Sequence, residues 1–400
     1  MPLLHAMEPV TGDNSRCLRG RPLGAASRGV TVVAERTGAQ TLDARILEII
    51  GRWHTTGALP SAGAVDSLAL DIFAYQFEHN VPYARYCRSL GIGPDAMPAH
   101  WRDVPPVPVT AFKDATLTTF PPQDAELCFE TSGTTLGRSG RHYLQTAALY
   151  RAALLAGFDR AMLADGAKLR YFNVLPTWSE KPRSSLSYMM QTVTEARGDG
   201  GDGWYVQNEV LDIDAFIRDV SSAIADSVSL CIAGTAFGLV ALLEALDRRG
   251  QRFALPPQSR IMETGGFKGR ANEIARDRFY DWLGDRFSLD RRSIVAEYGM
   301  TELTSQYYDS HKSRAESEGI KVGPPWTRWR VVDSGGRDVP LGTPGRLVHL
   351  DLVNRSSVVA IATDDIAFAR GDGFVLCGRS SDAEARGCSL EAEALWSSSR

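Results

Sequence analysis

The segment ETSGTTLGRSGRHY, residues 130–143, combines hydroxyl side chains, glycines and cations within one loop. Backbone N–H groups of a glycine-rich loop can converge on an anion, and serine and threonine hydroxyls add donors to phosphate oxygens. Arg141 and His142 add two candidate cations at the end of the segment. The composition therefore predicts a phosphate-binding loop, with a polar surface turn as the simpler alternative.

The best-known phosphate-binding pattern, the Walker A loop, can be tested on the same residues. That loop reads G-x-x-x-x-G-K-[ST]. Counting from Gly133, the next glycine is Gly137, one residue too early, and neither Lys-Ser nor Lys-Thr follows it. The Walker A interpretation is therefore excluded.

The loop opens a region in which strand and helix patterns alternate. Apolar strand patterns lead into polar or glycine-rich residues in LCFETSG, LRYFNVLP, SVSLCIAG, SRIMETGG and SIVAEYGM. Helical periodicity fills the intervals between them, which predicts an α/β fold with a parallel sheet and right-handed crossovers. Ligands bind at the carboxyl ends of such strands, so the polar strand ends predict a site along one edge of the sheet.

The remaining patterns divide the chain into four parts. Residues 1–40 lack hydrophobic periodicity and are predicted to be disordered, with an arginine-rich transit peptide as the alternative. Residues 41–320 form the predicted α/β core, which begins with helical patterns. Short β patterns predict a β-rich subdomain at residues 321–378, and residues 379–400 form a short tail.

Composition excludes several classes of function. The 400 residues are 44% hydrophobic and 23% charged, with a formal net charge of −4, so nothing indicates a nucleic-acid or membrane partner. No apolar run approaches the ~20 residues that span a bilayer. The six cysteines are scattered without a C-x-x-C pair, which disfavours a zinc site or a disulfide scaffold and predicts a reducing, cytoplasmic location.

Four motifs in order carry a resemblance to a known superfamily. The opening loop, ETGG at 263–266, EYGMTEL at 297–303 and TDD at 363–365 together resemble the adenylate-forming acyl and aryl ligases. The LuxE-type acyl-protein synthetases are most similar, over roughly residues 60–392, and phenylacetate–CoA ligases are more distant. The resemblance implies the α/β adenylate-forming ligase fold and the activation of a carboxylic acid, expected to be a fatty acid, with ATP and Mg²⁺.

The resemblance also implies roles for the motif residues. ATP would be held by Thr131, Ser132, Gly133, Thr134, Thr135, Gly137, Gly265, Gly266, Glu297, Tyr298, Gly299, Thr301, Asp365 and Arg379. Within this set, Tyr298 is expected to pack on the base and Asp365 to hold the ribose hydroxyls. Thr301 is expected at the α-phosphate, and Glu302 is expected to bind Mg²⁺.

Other residues are expected around the reacting groups. Arg141, His142 and Lys268 are the cations expected near the phosphates, although a solvated loop lysine is the alternative for Lys268. The acyl pocket is predicted from side chains that follow the strand YFNVLP, namely Trp178, Ser184, Ser185, Tyr188 and Met189. An aromatic and methionine stripe is equally typical of a plain core, so this alternative stays open.

The last residues resemble the LuxE type more than ordinary ligases. Ordinary members continue after a Gly-Arg hinge into a large C-terminal domain with a catalytic lysine, whereas here residues 378–379 precede only 380–400, so that domain is expected to be missing. In LuxE-type enzymes the acyl group moves to a cysteine near the C-terminus, and the matching residue is Cys388. The nearby cation Arg386 favours the thiolate, which is the attacking form. A buried structural thiol is the alternative for Cys388, and a core position is predicted for Cys377.

Two other functions stay open from the sequence. The enzyme can instead hand the acyl group to CoA or to a carrier-protein thiol, in which case Cys388 is structural. The chain can also be a non-catalytic nucleotide-binding relic. If it is a synthetase, the expected partners are the carboxylic acid and either an acyl-reductase or a carrier protein.

Overall fold

A computed structural model describes residues 30–131, 139–265, 275–311 and 319–379 of the protein, with side chains from residue 38 onward. Within these ranges the α-helices are α1 (Val30–Thr56), α2 (Ala62–His79), α3 (Val81–Ser89), α4 (Ala147–Met162), α5 (Ser185–Arg197), α6 (Ile213–Ala225), α7 (Ala236–Arg248) and α8 (Arg276–Phe287). In the described part of the chain, no helix combines the length and apolar character needed to cross a membrane.

The strands of the same ranges are β1 (Val107–Pro108), β2 (Leu127–Glu130), β3 (Arg141–Leu144), β4 (Arg170–Val174), β5 (Gly203–Trp204), β6 (Val206–Gln207), β7 (Val210–Leu211), β8 (Leu230–Thr235), β9 (Arg260–Thr264), β10 (Ile294–Tyr298), β11 (Tyr307–Asp309), β12 (Lys321–Val322), β13 (Thr327–Val332), β14 (Gly345–Asp351), β15 (Ala360–Arg370) and β16 (Gly373–Arg379).

Among the described residues, twelve strands form one mixed sheet. Its order is β13-β14-β15-β16-β12-β11-β10-β9-β8-β4-β5, with β1 beside β15. Strands β10, β9, β8, β4 and β5 pair in parallel, which confirms the predicted parallel sheet. From β11 to β16 the pairing is antiparallel. The β-rich segment predicted after residue 320 thus continues the same sheet.

Helices cover both faces of the parallel half, which explains why its strands are apolar along their whole length. Ile232 and Ile261 pack with α6, α7 and α8 on one face. Cys231 and Met262, which point the other way, pack with α4 and α5. Because successive strand side chains alternate between faces, both parities must be apolar in a sheet that is covered twice.

The antiparallel half of the sheet curls back towards β10. Strands β10 and β15 are separated by β11, β12 and β16, which would place them roughly 19 Å apart in a flat sheet. The Tyr298 hydroxyl nevertheless donates to Asp365 Oδ2 at 2.8 Å. The rings of Tyr298, Tyr307, His349 and Phe374 fill the inside of this curl, with neighbouring centroids 4.9–6.0 Å apart.

The structure corrects the predicted context of the opening loop. Strand β2 does not join the parallel sheet, because it pairs with β3 in a separate two-stranded antiparallel sheet. Strand β3 thus lies between the loop and α4, whereas the sequence pattern predicts a strand, a glycine loop and then a helix. Thr131 and Gly140 join the loop ends, since the Thr131 N–H donates to Gly140 O at 2.9 Å and the Gly140 N–H donates to Thr131 Oγ1 at 2.8 Å.

Two further predictions, for Cys377 and for residues 1–40, can be compared with the structure. Cys377 is exposed, so its predicted core position is wrong; the end of β16, from Cys377 to Arg379, is exposed. Helix α1 begins at Val30 and so overlaps the segment 1–40 that was predicted to be disordered. Residues 1–29 lie outside the described residues.

A buried arginine attaches the first helix to the sheet. Arg355 follows β14 and is only 1% exposed. Its Nε and Nη2 donate to the two carboxylate oxygens of Asp43 on α1 at 2.6 and 2.9 Å, and its Nη1 donates to Gln145 Oε1 at 2.9 Å. A two-point contact of this kind fixes both the distance and the direction of α1 relative to the sheet.

Asp43→Ala is therefore expected to destabilise the fold strongly. The substitution leaves the buried Arg355 guanidinium without its counter-charge, which typically costs about 3–5 kcal/mol. The matched control is Asp71→Ala, which breaks the exposed Arg45–Asp71 pair of 2.6 Å between α1 and α2 and should cost no more than about 1 kcal/mol. Urea unfolding at pH 7 measures both variants, and equal losses would contradict the anchoring role of Arg355.

Candidate functional site

Polar side chains meet where the parallel strands end. In the register of the sheet, Glu297 lies opposite Thr264, and Thr264 lies opposite Thr235. The Thr264 hydroxyl donates to Glu297 Oε2 across the two strands. Gly265 follows with φ of +86°, a backbone conformation that glycine adopts without strain. The strand ends predicted from the sequence to share one edge are thus side by side.

Hydrogen bonds from outside the motif fix the turn that follows β10. Asp351 Oδ2 accepts from the N–H groups of Thr304 and Ser305 at 3.0 and 2.8 Å, and Asn354 Nδ2 donates to the Glu302 carbonyl at 2.9 Å. Burial raises the pKa of Asp351 to about 6, although these hydrogen bonds oppose the shift. Asp351 and Asn354 hold the turn that carries Glu302, and neither residue belongs to a motif recognised in the sequence.

Strand β3 places Arg141 and His142 on opposite faces of the hairpin. His142 Nδ1 lies 2.8 Å from the Thr301 carbonyl, so Nδ1 carries the proton. His142 Nε2 is buried and has no hydrogen-bond partner among the described residues. Burial lowers the pKa of the imidazole to about 4, so it is neutral near pH 7. His142 therefore lies beside the Thr301 motif, but the prediction that it is a cation is wrong.

The other face of the hairpin borders an open cleft of about 590 Å³. Its lining consists of Phe112, Lys113, Asp114, Ala115, Thr116, Glu130, Ser139, Arg141, Tyr143 and Arg183. Arg141 Nε donates to Glu130 Oε1 at 2.9 Å, and Arg183 Nη1 donates to the same oxygen. Three cations against two carboxylates give the lining a positive balance. Such a cleft suits an anion, and it lies next to the loop predicted to bind phosphate.

Two of these cations, Lys113 and Arg183, were not identified from the sequence. Lys113 ends a 3-10 turn that follows β1, and Arg183 precedes α5. Arg183 could have been found from its place shortly after the carboxyl end of β4, where ligand-binding residues of α/β sheets concentrate. Lys113 had no such signal, because it is brought to the cleft by chain packing alone.

The structure brings together three predicted nucleotide-binding residues at the closure of the curled sheet. Asp365 accepts from the Tyr298 hydroxyl at Oδ2 and from Arg379 Nε at Oδ1, at 2.8 and 3.1 Å. The Tyr298 side chain is 4% exposed, so only a small part of its ring surface faces solvent. Stacking of a base on Tyr298 stays a prediction, whereas its contact with Asp365 is direct.

The five predicted pocket residues lie together around the start of α5. Ser184 caps that helix, since its Oγ accepts from the Ser187 N–H at 3.2 Å, and Ser185 is the first helical residue. The rings of Trp178 and Tyr188 pack edge to face at 5.0 Å, and Phe129 contacts both rings. Trp178 is half-buried and Met189 is buried. Their role as an acyl pocket stays a prediction.

Some predicted site residues lie outside the described residues. They are Ser132, Gly133, Thr134, Thr135, Gly137, Gly266, Lys268 and Cys388. In the described ranges, no group of three or more His, Cys, Asp or Glu side chains is arranged to hold a metal ion. A Mg²⁺ ion bound largely by phosphates and water needs only one or two protein carboxylates, so Glu302, which is 7% exposed, fits that type of site.

Known proteins resemble this chain over most of its length. The family described as acyl-protein synthetase, LuxE, matches residues 64–395. The long-chain-fatty-acid–luciferin-component ligase of Vibrio harveyi is 22% identical over 309 residues, which cover 74% of this chain and 77% of that protein. The enzyme of the same name from Aliivibrio fischeri is 23% identical over 318 residues, which cover 76% of this chain and 79% of its own length. The match to LuxE confirms the resemblance seen in the sequence motifs.

One solved structure that resembles the fold is the amide bond synthetase McbA from Marinactinospora thermotolerans. The match has a TM-score of 0.46 and 17% sequence identity, and it covers 66% of this chain. This chain spans about half of that structure, with 52% of its length covered.

The buried, neutral state of His142 predicts a pH dependence of stability. The pKa of the imidazole is about 4 when folded and ~6.5 when unfolded, so the unfolded chain takes up the proton first as the pH falls. The contribution of His142 to stability is nearly complete at pH 7 and declines through pH 6.5 towards pH 4, by about 2 kcal/mol between pH 7 and pH 5. His142→Gln should remove this part of the decline, as measured by urea unfolding at pH 7 and pH 5. An unchanged decline would show that the imidazole of His142 is not the group that titrates.

Proposed function

Since the chain belongs to the LuxE family of acyl-protein synthetases, we propose that it activates a carboxylic acid as an acyl-adenylate with ATP and then transfers the acyl group to a cysteine thiol. The family is described as acyl-protein synthetase, and two relatives are named long-chain-fatty-acid ligases. Both descriptions support ATP-dependent activation of an acyl group. The proposed substrate is accordingly a long-chain fatty acid. The observation that carries the proposal is the contact of His142 with Thr301, which joins the hairpin of the loop and its positive cleft to the strand-end motif.

Adenylation solves a leaving-group problem. An unactivated carboxylate resists attack, because an oxide or hydroxide would have to leave. In the first step a carboxylate oxygen bonds to the α-phosphorus of ATP, and the bond from that phosphorus to the bridging oxygen breaks, so pyrophosphate departs with the electron pair. In the second step a thiolate attacks the acyl carbon, and AMP leaves with the electrons of the acyl–oxygen bond. Positioning and charge neutralisation are the contributions required of the protein.

The described cations are suited to the first step. Arg141, Arg183 and Lys113 line one cleft, so negative charge that develops on departing pyrophosphate would face several N–H donors. The loop from Thr131 to Gly137 and Lys268 are proposed to complete this phosphate site. Glu302 would hold Mg²⁺, which when bound neutralises charge on phosphate oxygens.

The adenosine is proposed to lie along the strand ends. Asp365 offers carboxylate oxygens to the ribose hydroxyls, with Tyr298 and Arg379 holding it in place. Glu297 and the glycines Gly265 and Gly299 would border the base, together with Gly266.

The acyl chain is proposed to contact the aromatic cluster at the start of α5. Trp178 and Tyr188 pack there next to Met189, with Ser184 and Ser185 at the helix start. The cytoplasm is the proposed location, because the reaction consumes ATP and the described cysteines are free thiols. An acyl-reductase or a carrier protein is the proposed acceptor after the thioester forms.

Cys388→Ser is expected to separate the two half-reactions. Adenylation does not use the thiol, so acid-dependent pyrophosphate release should stay close to wild type. The covalent acyl-enzyme should disappear, because a serine hydroxyl is a much weaker nucleophile than a thiolate at neutral pH. The measurement follows pyrophosphate together with radiolabelled fatty acid retained on denatured protein, and neutral hydroxylamine releases label held as a thioester.

Three outcomes of this experiment would overturn parts of the proposal. Label that persists in the Cys388→Ser variant places the acceptor elsewhere. A wild-type enzyme that never acquires label but acylates added CoA is a CoA ligase. A wild-type chain that releases no pyrophosphate with any of a panel of fatty and aryl acids is not an adenylating enzyme.

Arg141→Ala and Arg183→Ala are expected to weaken ATP use selectively. Each loses charge-assisted contacts to phosphate worth about 1.5–3 kcal/mol, which corresponds to a rise of tenfold or more in the KM for ATP, while the KM for the acid changes little. Arg218→Ala, which breaks an exposed pair with Asp219, is the matched control for loss of a surface arginine. Equal changes in the KM of both substrates would indicate that the hairpin and its cleft are a structural turn.

A further inference from the structure

His349 links two tyrosines at the centre of the curled sheet. It lies on β14 and is fully buried. Its Nδ1 lies 3.0 Å from the Tyr307 hydroxyl, and its Nε2 lies 3.2 Å from the Tyr298 hydroxyl. The Tyr298 hydroxyl in turn donates to Asp365 Oδ2 at 2.8 Å. These four side chains form a continuous chain of hydrogen bonds that ends at the carboxylate, and we call it the relay.

The direction of every proton in the relay is determined by its partners. A phenol has one proton, and Tyr298 donates it to Asp365, so the Tyr298 oxygen can only accept from His349. His349 Nε2 must therefore carry the ring proton. Burial lowers the pKa of this imidazole to about 3, so the ring is neutral and Nδ1 is an acceptor, which the Tyr307 hydroxyl satisfies. Burial also raises the pKa of Tyr298 well above its usual value, which keeps it a phenol.

The relay controls what Asp365 can offer to a ligand. An ionised carboxylate has about four lone-pair positions. Tyr298 uses one position on Oδ2 and Arg379 uses one on Oδ1, so the carboxylate is held in a fixed plane with acceptor positions left over. If the His349 proton moved to Nδ1, Nε2 would become an acceptor and would compete with Asp365 for the Tyr298 proton. The tautomer of His349 thus decides whether Asp365 is held by a donor.

Close packing around Tyr307 holds its ring where the hydroxyl contacts His349. A Cβ atom at Gly323 would lie 2.3 Å from the Tyr307 ring, so a glycine is needed for the ring to lie where its hydroxyl meets His349. Phe374 packs edge to face against Tyr298 and Tyr307 and also contacts the His349 ring, without hydrogen bonding to any of the three. The cluster therefore contains both hydrogen-bonding and purely packing members, and these can be tested separately.

We propose that His349 and Tyr307 are positioning residues that hold Asp365, through Tyr298, for the ribose hydroxyls of the nucleotide. This inference rests on the proposed function only in taking Asp365 as the ribose-binding carboxylate. His349 and Tyr307 do not reach the ligand themselves. Through Tyr298 and Asp365 they control how strongly the enzyme prefers a ribose to a sugar without hydroxyls.

The test measures equilibrium binding of ATP and of 2′,3′-dideoxy-ATP by titration calorimetry, which needs no turnover. Wild type should bind ATP at least about tenfold more tightly than the dideoxy compound, a factor that corresponds to the loss of one hydrogen bond to a charged acceptor. Tyr307→Phe keeps the ring and removes one hydroxyl at the far end of the relay. It should reduce this preference to about threefold or less, because Nδ1 loses the donor that favours the tautomer with the proton on Nε2, and a ring with the proton on Nδ1 competes with Asp365 for the Tyr298 proton.

Substitution of His349 itself provides a rescue experiment. His349→Asn places an amide near Nδ1 but cannot reach Tyr298, so the preference for ATP should fall as in Tyr307→Phe. His349→Gln is longer and can return an N–H donor to the Tyr298 hydroxyl, so it should recover most of the preference. A purely structural role for His349 would not separate the two variants in this way.

The packing control is Phe374→Leu, which loosens the same ring cluster and should lower thermal stability without changing the preference for ATP. A wild type that binds the two nucleotides equally, or binds neither, overturns the proposal. So do Tyr307→Phe and His349→Asn variants that keep the wild-type preference. If the preference falls as expected but wild type releases no pyrophosphate with any acid, the relay stands and the proposed adenylation is what fails.

Discussion

The curl of the central sheet, closed by the hydrogen bond between Tyr298 and Asp365, is the constraint on which the site depends. Tyr298 ends a parallel strand, and Asp365 lies on an antiparallel strand four places away in the sheet. Without the curl, the carboxylate would be far from the strand ends where the other motif residues gather. The aromatic rings inside the curl supply the apolar contacts, and the hydrogen bonds within it specify which side chains meet.

Buried charges support the sheet where the curl begins. Lys321 on β12 donates to the Ala296 carbonyl of β10 and to Asp309 on β11, at 2.9 and 2.8 Å. Burial pushes the pKa of Asp309 upward, but the ammonium of Lys321 and the guanidinium of Arg276 outweigh it and hold that pKa below its usual value. Such a cluster is fully compensated only in one arrangement, because each charge needs its partner in a medium that solvates ions poorly. It therefore fixes the relative positions of β10, β11 and β12.

The two faces of the β2–β3 hairpin lie in different environments, one solvated and one buried. Adjacent residues of a strand point to opposite faces, so Arg141 reaches the solvated cleft while His142 lies in the interior against Thr301. The charged face can attract an anion, and the neutral face can hold the strand-end motif without adding charge beside it. Glu130 keeps Arg141 and Arg183 close together, since two like charges would otherwise separate. The positive cleft is thus held in a preorganised form.

The sequence by itself determined the parallel sheet and the edge at which the site lies, because hydrophobic periodicity and strand-end polarity are local properties that burial imposes on each segment. The roles expected for Glu297, Thr301 and Asp365 came instead from motifs that resemble those of a known ligase superfamily. Only the tertiary structure decided that the loop belongs to a separate hairpin, since an isolated apolar run does not reveal its pairing partner. It also decided the neutrality of His142 and the positions of Lys113, Arg183, His349 and Asp351. Burial, charge state and contacts between distant segments come from packing of the whole chain, and no local pattern encodes them.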